Sequence, residues 1–252
     1  MKRNMFKLAA TIGSAVALGV ALCGFVSVKR VRLPEGFTVT AHTGCEKTKD
    51  NSLEAITLGF GYGADIVEFD LNYDVDGVPV LSHDLPKNRD CVTLDEAFAL
   101  VSGYNGLKVN VDVKSAENLA AVIQCAEKHG IKDRIFFTGI EKEKVASVRR
   151  DAPGIIYFLN TSIDGSKRND VAYVNGLIEE IKSLGACGIN MHHKNCSPVL
   201  VEEFHKNGLL VSVWTVNKKS DMKRMLNLGV DNITTRKIKD LKDMLAVVTV
   251  LD

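Results

Sequence analysis

The sequence predicts an α/β chain of alternating strands and helices, a (β/α)8 or TIM barrel. Two observations carry this expectation. From Phe37 onward, short apolar runs rich in Val and Ile alternate with stretches of helical periodicity. Eight such runs, each followed by a helical stretch, fit into a little over 200 residues, which is the count a barrel needs. A doubly wound open sheet shares the alternation, because periodicity does not show closure. The count of eight favours the barrel.

The strands are expected, in order, at "FTVTAH" (37–42), "DIVEFDL" (65–71), "LKVNVDV" (107–113), "RIFFTG" (134–139), "GIIYFLN" (154–160), "CGINM" (187–191), "LLVSVW" (209–214) and "DNITT" (231–235). Between them, helical spacing of apolar residues predicts helices at Leu53–Tyr62, Leu94–Val101, Ala116–His129, Lys142–Arg150, Val171–Leu184, Val199–Lys206 and Asp221–Leu228. A last helix, Ile238–Val247, closes the series. Glycine follows three of these patterns, in "CAEKHG", "FHKNG" and "LNLG", as a helix stop. One hairpin, "DVDGVPVLSHD" (74–84), interrupts the second unit, with Asp76-Gly77 as its turn.

Residues 1–30 stand apart from the barrel domain of residues 31–252. "MKRNMFK" is basic, and Leu8 to Val28 then carries no charge. About 20 apolar residues span a bilayer as a helix, and the run exceeds the roughly 7–15 residues of a signal-peptide core. The expectation is an uncleaved N-terminal transmembrane helix or signal anchor, and hence a membrane-anchored protein. Lys2, Arg3 and Lys7 on one flank balance Lys29, Arg30 and Arg32 on the other, so the charge rule assigns no side of the membrane.

Composition excludes several classes. A formal net charge of +1 and 6% aromatic residues give neither the field nor the stacking platform of a nucleic-acid binder. Beyond Cys23 there are five cysteines without a CxxC pair. That is neither a disulfide framework nor zinc-site spacing, and reduced thiols are expected.

A barrel of this type carries its active site at the C-terminal ends of its strands. Reading those ends in order, strand one stops at His42. Strand two carries Glu68 and Asp70, two apart and so on one face. Its hairpin ends at His83-Asp84. Strand three carries Asp112 and Lys114, and strand seven ends at Trp214 with Asn217 beyond. Each residue alone has an ordinary surface explanation. Two carboxylates on one face of an apolar strand do not, because they repel and lose hydration unless a cation joins them. With Asp112 they form an oxygen-donor set suited to Mg²⁺ or Ca²⁺. His42 and His83 beside such an ion suit general acid and base roles, in an order the sequence leaves open.

At this point "AHTG…DNS", "VEFDLN…DGVPVLSHD", "VNVDVK" and "VSVWTVN…GVDNITT" together resemble the glycerophosphodiester phosphodiesterases, over Thr38 to Thr235. The resemblance implies a metal-dependent barrel hydrolase acting on a small glycerophosphodiester or related lipid-derived phosphodiester. It implies His42 and His83 as the catalytic pair and Glu68, Asp70 and Asp112 as metal ligands. Lys114 matches the phosphate-contacting lysine, and Trp214 falls in the substrate-binding Trp-Thr-Val-Asn motif. Three departures accompany it. Thr43 replaces the arginine that normally meets the phosphate, Asp50 and Asp112 replace glutamates, and the segment after His83-Asp84 is short. A second cation is therefore expected from Lys47 or Lys49, or from His192, His193 and Lys194. The alternatives are a sphingomyelinase D-like phospholipase and a barrel that binds a phosphorylated head group without turnover.

Overall fold

Eight parallel strands close on themselves in the computed structural model, which describes Val31 and residues 33–247. The strands are β1 (Thr38–Ala41), β2 (Ile66–Tyr73), β4 (Lys108–Val113), β5 (Ile135–Ile140), β6 (Tyr157–Asn160), β7 (Gly188–His192), β8 (Leu210–Trp214) and β9 (Asn232–Thr235). The short β3 (Pro79–Leu81) pairs antiparallel with β2 as the second arm of the hairpin. Closure is made by β1, which pairs in parallel with both β2 and β9. The barrel is therefore present, and the open-sheet alternative is excluded.

Eight helices alternate with the strands: α1 (Leu53–Gly61), α2 (Leu94–Ser102), α3 (Leu119–Lys128), α4 (Val145–Asp151), α5 (Val171–Leu184), α6 (Pro198–Lys206), α7 (Lys219–Leu228) and α8 (Ile238–Ala246). Five of their starts, those of α1, α2, α3, α5 and α6, carry a side-chain cap. The Asn118 side chain accepts the Ala121 N–H at 3.2 Å, so α3 begins three residues later than apolar spacing alone suggests. Thr93 and Glu96 form a reciprocal capping box at the start of α2. Ser197 caps α6, with Pro198 in the first turn, where its missing N–H costs nothing. A single 3₁₀ turn at Lys142–Lys144 precedes α4, splitting the expected helix in two.

The strands sort their side chains by chemistry. On β2, Val67, Phe69 and Leu71 belong to the apolar core between sheet and helices, where Phe69 meets Phe98 of α2 with ring centroids 6.1 Å apart. Truncating a buried phenylalanine of this kind costs about 3–5 kcal/mol. The alternate positions are polar: Thr40, Glu68, Asp70, Asn72, Asn110, Thr138, Asn190, Ser212, Asn232 and Thr234 are all buried. They bond across neighbouring strands. Ser212 bridges Asn190 and Asn232, Asn232 donates to Thr40, and the Thr138 hydroxyl donates to Asp112 and lies 2.9 Å from the Asn110 side chain. Each of these side chains thus replaces lost water with a partner, whereas the buried Tyr73 hydroxyl of β2 has none. Gly188 permits the close approach of β7 to β8, since a Cβ there would stand 2.1 Å from the Leu210 carbonyl oxygen.

Cys45, Cys91, Cys125, Cys187 and Cys196 are free, as expected of reduced thiols. Burial pushes the Cys196 thiol up to about 12, which keeps it protonated and inert. Among the described residues no helix is long and apolar enough to cross a membrane. The anchor expected at Leu8–Val28 lies outside them.

Candidate active site

Register places the acidic residues together. In the parallel pairing of β2 with β4, Asp70 lies opposite Asp112 and Glu68 opposite Asn110. One carboxylate oxygen from each of Glu68, Asp70 and Asp112 falls within 4.8 Å of the others. Each is held by neighbours. Glu68 Oε2 accepts the Thr43 N–H at 2.8 Å, Asp70 Oδ2 accepts from the Asn51 amide at 2.9 Å, and Asp112 Oδ1 accepts from Thr138 at 2.8 Å. The Lys114 ammonium stands 3.0 Å from Asp70 and 2.5 Å from Asp112.

The electrostatics follow from that crowding. Burial, then the charges of Asp70 and Asp112, hold the Glu68 carboxyl well above the usual carboxylate range. Burial opposes the charge on Lys114, but the Asp112 and Asp70 carboxylates outweigh it and push its pKa up. Three carboxylates against one ammonium leave the cluster negative by two charges when all are ionised. An oxygen-only donor set with that residual charge fits a hard divalent cation.

His42 lies just past β1, where its ring Nδ1 is 2.8 Å from the Thr43 carbonyl and 3.8 Å from Glu68 Oε2. The carbonyl can only accept, so Nδ1 carries the proton and Nε2 is the basic nitrogen. Burial lowers the His42 pKa; the Thr43 hydrogen bond opposes this, and the Arg236 charge adds to it. His83 sits on the segment after β3 with 69% of its side chain exposed, its Nδ1 2.9 Å from Asp84. Both histidines, the three carboxylates, Lys114 and Trp214 line one cavity of about 480 Å³ at the C-terminal mouth of the barrel. A second cavity of about 600 Å³ shares Trp214, Asn160, Asn190 and Glu141 with it and extends toward His192 and Glu180. The Trp214 ring, at the junction, meets His192 edge-on at 5.5 Å.

All seven site residues expected from the sequence therefore line one cavity; of the expected second cations, His192 lines only the adjoining cavity and none lines this one. Lys47, Lys49 and Lys194 are exposed, and none of them lines this cavity. His193 is buried, with its carbonyl accepting from Arg224 at 2.8 Å. Two cations besides Lys114 do line it. Lys144 spends its ammonium on the Val113 and Gly139 carbonyls, each at 2.8 Å. Arg236, the first residue past β9, pairs with Asp50 at 2.7 and 3.2 Å. Sequence reasoning missed Arg236 because its reading of strand ends stopped at Trp214 and Asn217; carried on to the last strand, it would have reached this residue.

Asn51 was also missed as a positioning group. Its side chain both donates to the Asp70 carboxylate and accepts the Asp70 N–H at 3.0 Å, from a backbone at φ 55°. That left-handed conformation is one asparagine tolerates better than most residues.

Comparison with known proteins bears on the family and the fold. The model of the glycerophosphoryl diester phosphodiesterase family matches residues 42–102 and 101–239. A glycerophosphodiester phosphodiesterase of Caldanaerobacter subterraneus subsp. tengcongensis is 25% identical over 238 residues, covering 78% of this chain and 93% of the relative. A probable glycerophosphodiester phosphodiesterase 2 of Mycobacterium tuberculosis is 22% identical, covering 76% and 82%. Among solved structures, a putative glycerophosphoryl diester phosphodiesterase from Silicibacter pomeroyi superposes with a TM-score of 0.73 at 20% identity, covering 87% of this chain and 97% of that one. An Oleispira antarctica phosphodiesterase in complex with the product sn-glycerol-3-phosphate gives 0.71 at 21% identity, covering 85% and 97%.

Proposed function

The chain belongs to the glycerophosphoryl diester phosphodiesterase family, and from that premise we propose that it hydrolyses a glycerophosphodiester or related lipid-derived phosphodiester with a divalent metal. One observation carries the reading: the oxygen-donor trio and both histidines line a single cavity at the mouth of the barrel.

In this reading Glu68, Asp70 and Asp112 hold the ion, and Mg²⁺ or Ca²⁺ suits them. When bound, such an ion polarises the phosphoryl oxygens and offsets their charge. The remaining chemistry belongs to the chain. His42 accepts a proton at Nε2 from the attacking water, whose oxygen bonds to phosphorus as the bond to the leaving alcohol breaks, because Nδ1 is committed to the Thr43 carbonyl. His83, whose Nδ1 lies 2.9 Å from Asp84 Oδ1, returns a proton to the leaving alcohol. Lys114 faces the phosphate from just past the strand that carries Asp112. Trp214 bounds the space for the alcohol group. Glycerol 3-phosphate, the product bound by the Oleispira relative, is the phosphate product proposed here.

A head-group-binding barrel without turnover would leave His42 and His83 without a task. We further propose that Leu8–Val28 anchors the barrel domain to a membrane, keeping it beside lipid-derived substrates. Extraction of full-length protein with high salt and carbonate tests the anchor, which is abandoned if the chain is released.

The enzymatic reading is tested by assaying full-length protein on glycerophosphodiesters, lysophospholipids and sphingomyelin, after chelation and after adding Mg²⁺ or Ca²⁺. Metal-restored release of glycerol 3-phosphate is the expected result. Turnover of sphingomyelin alone would move the chain to the sphingomyelinase D-like reading. No turnover with either metal would leave head-group binding.

A further inference from the structure

We infer that Arg236 is the phosphate-binding guanidinium of this site, supplied from the end of the last strand because the loop after β1 has threonine at position 43. The inference rests on the phosphodiesterase reading above and adds to it a residue outside the family motifs. Four observations carry it.

Thr43 is buried, and its hydroxyl is 3.3 Å from the Asn51 side-chain oxygen. Position 43 therefore faces the Asn51 bridge and offers no charge to a ligand. Arg236 lines the cavity together with His42, the carboxylate trio and Lys114, and it is near enough to act on the His42 charge. Its guanidinium reaches into the same loop: a Cβ on Gly44 would stand 2.8 Å from Arg236 Nη1 and 1.8 Å from Asp50 Oδ1. Gly44, at φ 68°, is thus the residue that leaves room for the pair.

The backbone of Arg236 is also fixed. Its N–H donates to Asn217 at 2.8 Å, and its carbonyl accepts from Glu46 at 2.9 Å. The side chain is still 36% exposed. Asp50 takes two of its five N–H donors, so the planar fork is oriented while other donors remain for a phosphoryl oxygen. Lys144 commits two of its three N–H donors to backbone carbonyls and presents no planar fork.

If the pair served only to staple the loop after β1, removing either partner would have the same consequence. If Arg236 meets phosphate, removing Arg236 is far worse than removing its carboxylate, which orients the fork but also competes for its charge. The test uses full-length protein with Mg²⁺ and titrates inorganic phosphate by calorimetry, with thermal midpoints alongside. Arg236→Ala is expected to weaken phosphate binding by at least about 10-fold, and to lower kcat/KM on bis(4-nitrophenyl) phosphate by about 10²-fold, the usual size of a lost charge-stabilising donor. Asp50→Asn should keep phosphate affinity within about threefold or tighten it, since a neutral amide no longer competes. Arg236→Lys, which keeps charge but not the fork, should fall between, and added guanidinium should restore part of the Arg236→Ala loss.

Phosphate affinity unchanged in Arg236→Ala, or equal losses in Arg236→Ala and Asp50→Asn, would overturn the inference. Should Arg236→Ala fail to fold, the comparison of Arg236→Lys with Asp50→Asn decides in the same way. Turnover by the wild type is read separately. A wild type that binds phosphate through Arg236 without cleaving any diester rejects the hydrolase reading and leaves this one standing.

Discussion

Asp70 of β2 lies directly opposite Asp112 of β4, and a single ammonium, that of Lys114, stands within 3.0 Å of both carboxylates. Two like charges in adjacent registers of a parallel sheet are unfavourable without such a cation. With Glu68 one residue pair away, the cluster keeps an excess of negative charge that Lys114 alone does not balance. Its chemistry therefore turns on which cations it holds.

Chelation is expected to abolish turnover, and Mg²⁺ or Ca²⁺ to restore it. Asp70→Asn and Asp112→Asn should each lose metal binding by calorimetry while retaining the fold by circular dichroism. Glu68→Gln should raise the thermal midpoint of the chelated protein, because it removes a buried charge repelled by two neighbours and keeps an oxygen for the Thr43 N–H. Activity that survives exhaustive chelation would reject the metal.

Replacing Thr43 with arginine, the residue the family resemblance implies there, is expected to fail as a gain of function. The side chain at 43 is buried against Asn51, and Asn51 in turn holds Asp70. Forcing in a longer side chain costs about 1–3 kcal/mol of overpacking and displaces a carboxylate that the site needs. The thermal midpoint should fall, and kcat/KM should not rise. A Thr43→Arg protein of wild-type stability and higher activity would show that the loop repacks.

The histidines should separate by role. His42→Ala and His83→Ala are each expected to lower kcat by roughly 10²–10⁴, the general acid–base range. The limb of the pH–rate profile that reports the base should disappear in His42→Ala and the acid limb in His83→Ala. Near-normal kcat in either variant would remove that residue from the mechanism.

The sequence carried the strand and helix order because alternation of period 2 and period 3.6 is local, and it carried the acidic trio because two carboxylates on one apolar strand are conspicuous. It carried less of what depends on register. The same alternation in "TVT", "VNVDV", "VSV" and "NITT" marks a hydrogen-bonded polar barrel interior, but Asn190, Ser212 and Asn232 become partners only once β7, β8 and β9 are aligned. Arg236 and Asp50 are 186 positions apart, and nothing local in either stretch announces their pairing. The expected lysines at 47 and 49 share a loop with Asp50, yet three residues with positive φ, Glu46, Lys47 and Asn51, fold that loop so that both lysines are exposed.

Away from the site, Asp95 at the start of α2 accepts from Lys128 at 2.6 Å and His129 at 2.8 Å, both at the end of α3. The Lys128 hydrogen bond, then that of His129, holds its carboxyl down at about 2, against 3.8 for the free group. A depressed carboxyl stabilises the fold above its unfolded pKa, and that contribution disappears as pH falls through the folded value. The group is half exposed, so solvent screening limits the effect to under about 1 kcal/mol. Urea unfolding at pH 5 and pH 1 should show Asp95→Asn less stable than wild type at the higher pH and equal to it at the lower. A constant difference across that window would mean Asp95 acts through packing instead of charge.

Lys114 is the most demanding case, because it faces two carboxylates and a cavity at once. Its ammonium offsets the repulsion between Asp70 and Asp112, and with an ion on the trio it is the cation just past β4 that remains for a phosphoryl oxygen. Those two tasks separate experimentally. In chelated protein, Lys114→Ala leaves the acidic cluster without its neighbour, and the thermal midpoint should fall. Saturation with Mg²⁺ or Ca²⁺ should recover most of that fall, since the divalent ion assumes the charge compensation. Turnover should not recover with it. Losing one member of a desolvated charge pair costs on the order of 2–5 kcal/mol, and here kcat/KM should drop by a corresponding amount even at saturating metal. A variant whose stability and kcat/KM are both restored by metal would confine Lys114 to charge balance, and the phosphate contacts would then fall to Arg236 and the ion.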